Sequence, residues 1–140
     1  MAAEERQGWR CELISRWHRE RMGSDAYACD LDFPLIEYAT GQGLVAAIIE
    51  WKHEAAAKVD MDHPAIKALA RIGDALDVPA LIVTYDNSLN HWELKALNGC
   101  AKRAISKLLH GVVTLDERTF ITFCQTLRRR VIQRYRRRSV

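Results

Sequence analysis

The chain has 140 residues, 49% of them apolar and 28% charged, with a formal charge of +3. That length suits one compact domain, residues 1–140, with a single core, and the composition excludes a disordered or fibrous chain. No apolar run is long enough to span a membrane, and Met1–Gln7 lacks the apolar centre of a signal peptide, so a cytoplasmic protein with no membrane partner is expected.

The first predicted element is a helix over Gln7–Met22, with Trp9, Leu13, Ile14 and Trp17 at helical spacing and Gly23 closing it. Two apolar segments follow, Ala26–Tyr38 and Gly43–Lys52, joined by Ala39-Thr40-Gly41-Gln42-Gly43. They read as two strands and a hairpin turn. Centring the turn on Thr40–Gly43 sets Asp32 opposite Glu50 or Trp51, and Asp30 opposite Lys52 or His53. Side chains alternate along a strand, so Glu50 and Lys52 share a face, as do Asp30 and Asp32. If the faces coincide, carboxylates and one amine converge. Carboxylates alone would repel, and a divalent cation relieves this; Mg²⁺ prefers one or two carboxylates with water and phosphate oxygen. Lysine beside them can position water or stabilise charge on phosphate. The plain alternative is two solvated acids and a surface lysine at strand ends. Trp51 should face away from the pair. Pro34 can introduce a bulge, and Glu37 is expected at the surface near the turn.

His53–Lys58 reads as a helix start or a loop beside these residues. Asp62-His63-Pro64 then signals a helix, with Asp62 as cap, running to about Leu76 on a stripe of Ile66, Leu69, Ala70, Ile72, Gly73 and Leu76. Asp77-Val78-Pro79 ends it. Ala80–Tyr85 is a buried strand, Asp86–Asn90 a turn, and His91–Leu97 an edge strand. Ala101–Leu109 is a short helix with Ile105, Leu108 and Leu109 inward. Asp116–Arg138 is a longer one using Phe120, Phe123, Leu127, Val131 and Ile132. The fold class is α/β: a central mixed sheet flanked by helices in the order α–β–β–α–β–β–α.

The basic charge is concentrated at the end of the chain. Arg128, Arg129, Arg130, Arg134, Arg136, Arg137 and Arg138 make a basic C-terminal helix or tail over about 128–140, and no acid lies beyond Glu117. Removing those seven from the 21 basic residues leaves 14 against 18 acidic ones, so the body is mildly acidic. Arginines interleaved with Tyr135 suit phosphate contacts and base stacking; a solvated end is the alternative. The cysteines Cys11, Cys29, Cys100 and Cys124 form no CxxC pair and read as free thiols. The five histidines show no metal spacing.

Asp32 with Glu50-Trp51-Lys52 resembles the PD-(D/E)XK nuclease superfamily over roughly Glu12 to Asn98, nearest to small phage- or prophage-type and junction-resolvase-like members. The resemblance implies a restriction-endonuclease-like core and Mg²⁺-dependent cleavage of phosphodiester bonds in DNA. Mn²⁺ in place of Mg²⁺ and RNA in place of DNA stay open. Asp32 matches the first acid, Glu50 the second and Lys52 the lysine. Asp30 competes with Asp32 as a metal ligand. A further glutamate on the first helix is implied, with Glu20 preferred over Glu12. No proline precedes Asp30 or Asp32, so the literal Pro-Asp pair is missing. A homodimer is implied because one site cuts one strand. The rivals are an inactive nuclease-fold nucleic-acid-binding protein and a phage-encoded protein-interaction module.

Overall fold

The computed structural model describes Trp17, Glu20, Arg21 and residues 34–38, 40–56 and 58–139. The chain divides into two units, Met1–Asp30 and Leu31–Val140. In the first, Trp17, Glu20 and Arg21 are helical and exposed. The second carries β1 (Leu35–Glu37), β2 (Leu44–His53), α1 (Pro64–Leu76), β3 (Ala80–Tyr85), β4 (Trp92–Ala96), α2 (Gly99–Leu109), β5 (Thr114–Leu115) and α3 (Glu117–Arg138). It is an α/β fold with a five-stranded mixed sheet in the order β1-β2-β3-β4-β5.

β1 and β2 form an antiparallel hairpin. Its turn holds Gly41 and Gly43 at φ of 74° and 64°, a region that glycine enters without steric cost. Glu37 pairs with Leu44 and Ile36 with Val45, which centres the hairpin one residue earlier than Thr40–Gly43. The register then shifts between Ile36 and Leu35: Leu35 pairs with Ala47, so the extra residue is Ala46 on β2 and not a residue of β1 beside Pro34, where a bulge was expected. β2 is parallel to β3 from Ile48/Ala80 to His53/Tyr85, and α1 makes the crossover that a parallel pair needs.

β2 is apolar throughout Leu44–Ile49 because both of its faces are covered. Ala47 and Ile49 pack with Leu81, Val83 and Leu94 against α2 and α3, where Ala104, Ile105, Phe123 and Leu127 are buried. Ile48 and Ile82 face the other way, onto Ile66 and Leu69 of α1. From Ala47 onward, strand alternation assigns Ala47, Ile49 and Trp51 to the α2/α3 face and Ile48 and its alternate successors to the α1 face; before the irregularity at Ala46 the phase is reversed, and Val45 packs on the α1 side.

Three expectations change. His63, not Asp62, caps α1: its Nδ1 accepts the Ala65 N–H at 3.1 Å. β4 is not an edge strand, because β5 pairs with it at Trp92/Leu115 and Glu93/Thr114; two residues carry too short a pattern to be read from sequence. Glu37 is not a surface residue. It is 1% exposed, and Arg128 Nε donates to its Oε2 at 2.6 Å. α3 brings the cation that makes its burial tolerable.

Asn98 ties three elements together. Its Oδ1 accepts the N–H groups of Ala101 (2.9 Å), capping α2, and of Ala80 (3.1 Å), at the start of β3. Its Nδ2 donates to the Val78 carbonyl at 3.0 Å. Gly73 leaves room for it: a β-carbon there would sit 2.7 Å from Asn98 Nδ2 and 2.9 Å from Ala80 Cβ.

Asn98→Ala removes a buried residue with three hydrogen bonds, and chemical denaturation should show a loss of about 2–4 kcal/mol. Gly73→Ala should cost about 1–3 kcal/mol through overpacking against the same side chain.

Candidate functional site

Glu50 and Lys52 lie near the C-terminal end of β2, on the same face as Ile48. Lys52 Nζ is 3.1 Å from Glu50 Oε1. The glutamate side chain is 14% exposed and the lysine 37%, so the carboxylate is partly shielded while the ammonium reaches solvent. Among the described residues no other hydrogen bond or ion pair reaches Glu50. The pairing of β2 with β3, and of β3 with β4, extends this face. Glu50 is level with Ile82 and Lys95; Lys52 is level with Thr84 and Glu93. Acid and base alternate in two rows across three strands.

A groove of about 430 Å³ opens on this face, with Lys52, Thr84, Glu93, Lys95 and Lys58 along it. Glu50 is not part of its lining and lies on the same strand beside Lys52. The segment after β2 forms a turn, not a helix: the Ala56 N–H bonds to the His53 carbonyl at 2.9 Å. Thr84, Glu93 and Lys95 were missed from sequence as members of this face. Their alternation in β3 and β4 was the available signal, but only the strand register aligns them with Lys52.

The opposite face carries aromatic residues, with Trp51 directed away from Glu50 and Lys52 as expected. Trp51 meets Trp92 and Phe120 edge-on, at 6.2 and 6.0 Å between centroids, and Trp92 stacks on Phe120 at 4.4 Å. The Trp51 Nε1 donor is buried with no hydrogen-bond partner among the described residues. His53 Nε2 is 2.7 Å from Asn87 Oδ1, and its ring lies edge-on to Tyr85. These contacts account for His53 structurally.

Asp30 and Asp32 lie outside the described residues. Glu20 is described as helical and exposed, within the other unit of the chain. Among the described residues no three His, Cys, Asp or Glu side chains are grouped so as to hold a metal ion. Glu50 is the single predicted metal ligand described in the second unit. One carboxylate fits Mg²⁺ chemistry when water and phosphate supply the remaining oxygens.

The arginine-rich segment is helical through Arg138. Its arginines divide by function in the fold. Arg128 neutralises buried Glu37. Arg134 Nη1 donates to the Asp77 carbonyl at 2.6 Å and lies 2.9 Å from its Oδ2, holding the left-handed residue that ends α1. Arg129 donates to Thr126 Oγ1, while Arg136, Arg137 and Arg138 are exposed in the last turn, where cations are favoured by the helix dipole. Tyr135 is half-buried.

Comparison with family models, with curated proteins and with solved structures returned no match. Among the described residues no helix is long and apolar enough to cross a membrane.

Arg128→Ala should destabilise the fold by about 3 kcal/mol, the low end for breaking a buried pair, because the arginine is half-exposed. Glu37→Gln combined with Arg128→Met should recover much of that loss in a denaturant titration. Burial pushes the Cys124 thiol up to about 11, opposed by Arg128. Iodoacetamide at pH 8 should therefore leave Cys124 unmodified in the native protein and modify it after unfolding.

Proposed function

We propose that the chain is a metal-dependent nuclease of the PD-(D/E)XK type, with a restriction-endonuclease-like core, acting on DNA. The observation that carries this reading is the Glu50–Lys52 pair, 3.1 Å apart on one face of the central strand. The order of elements supports it: an antiparallel hairpin, a crossover helix and a strand parallel to the hairpin's second strand. The superfamily that the chain resembles carries its Glu-x-Lys on a hairpin followed by a helix and a further strand.

In this reading Glu50 is a metal ligand and Asp32 the first acid, with Asp30 or Glu20 assisting. Mg²⁺, with Mn²⁺ as a substitute, would supply Lewis-acid polarisation of a phosphoryl oxygen and activation of water. Lys52 has two tasks. It offsets the charge of the partly buried Glu50, and its exposed ammonium can turn to a phosphate oxygen as negative charge develops there. Lys95 and Lys58 would add attraction for the strand along the same groove. A homodimer would bring a second site for the second strand.

Labelled duplex, branched and single-stranded DNA should be cut in Mg²⁺ or Mn²⁺ and left intact in EDTA. Lys52→Ala and Glu50→Ala should each lower the cleavage rate by at least about 100-fold with DNA affinity retained. If the wild type cuts nothing yet shifts DNA as well as both variants do, a non-enzymatic nucleic-acid-binding protein replaces this reading.

A further inference from the structure

A second groove, of about 620 Å³, lies between α2 and α3. It opens beside Ala46 and Pro79, at the starting ends of β2 and β3. Lys52 is six residues farther along β2, roughly 20 Å at the rise of an extended strand. The α2/α3 groove is also on the other face of the sheet. It is therefore separate from the Glu50–Lys52 face.

Its walls are cationic. α2 contributes Arg103 and Lys107, one helical turn apart; α3 contributes Arg130, Arg134 and Arg137. The α3 row spans about 10 Å of helix. Asp77 is the one acid in the lining, and Arg134 already holds it. Arg103, Lys107, Arg130 and Arg137 have no carboxylate partner among the described residues. The floor is apolar and low, made by Ala46, Pro79, Ala104 and Leu127. Two facing rows of like charge around a concavity repel one another and concentrate positive potential within it. A compact anion would neutralise one end. A chain of phosphates would neutralise the rows along their length, and guanidinium groups match phosphate oxygens with paired hydrogen bonds.

We propose that this groove holds the phosphodiester backbone of a nucleic-acid strand, with Arg103, Lys107, Arg130 and Arg137 as its phosphate contacts. Binding here does not depend on chemistry at Glu50. Arg128 and Arg134 are committed to the fold, so the arginine-rich segment supplies fewer phosphate contacts than its composition implies, and α2 supplies the rest.

The test is equilibrium binding of a fluorescent 20-nucleotide strand and of the matching duplex to the full chain in EDTA, from 50 to 200 mM salt. No cutting occurs under these conditions, so a failed nuclease reading leaves the result intact. Arg103→Gln with Lys107→Gln, and Arg130→Gln with Arg137→Gln, should each weaken binding at least about 10-fold. Each pair should also flatten the log–log salt slope by about 1.8 on duplex or about 1.4 on single strand, which distinguishes the two sources of backbone. Arg130→Lys with Arg137→Lys should restore most of the slope, separating charge from folding. Unchanged affinity and slope in both glutamine pairs would overturn the proposal. So would competition by inorganic triphosphate as effective, per phosphate, as by the strand, because that marks a small-anion site.

Discussion

β2 and β3 run side by side in the same direction, and a parallel pair must be covered on both faces and joined by a crossover. Those two demands organise the second unit. The crossover is α1, which occupies one face over Ile48 and Ile82; α2 and α3 occupy the other over Ile49, Leu81 and Val83. Neither the Glu50–Lys52 pair nor the cationic groove has a position of its own. Both follow from where the strands end and which helix covers each face.

Polar groups at the margins secure the arrangement. Asn98 satisfies backbone groups at the start of β3 and of α2 and in the segment leaving α1. Arg134 fastens α3 to the end of α1, and Arg128 fastens it to the hairpin through Glu37. A buried carboxylate is costly without a partner, so the Glu37–Arg128 pair also specifies how α3 lies across β1 and β2. Cations that composition alone would assign to a ligand are in part structural.

Several elements were legible because local chemistry and tertiary packing agree there. Pro64 and the stripe from Ile66 mark α1, and Ala80–Tyr85 is apolar, β-branched and bounded by Pro79 and Asp86. The common face of Glu50 and Lys52 follows from strand alternation alone. Other features depend on partners distant in sequence. Glu37 and Arg128 are 91 positions apart, and no local pattern links them. β5 is two residues long, so it carries no period. Thr84, Glu93 and Lys95 join the candidate site only through register across β3 and β4. The buried positions Leu127 and Val131 in α3 offered a clue that their neighbours Arg128 and Arg134 lie close to the body.

In the functions proposed above, the two grooves do different work: chemistry on the α1 face, and strand holding between α2 and α3. The proposed chemistry requires that Glu50 bind a divalent cation. Anomalous diffraction from crystals soaked in Mn²⁺ tests that most directly. The expected result is a peak in contact with a Glu50 carboxylate oxygen, lost in Glu50→Ala crystals. A well-ordered Glu50–Lys52 pair with no anomalous density beside it, at Mn²⁺ concentrations that occupy other sites, would contradict it.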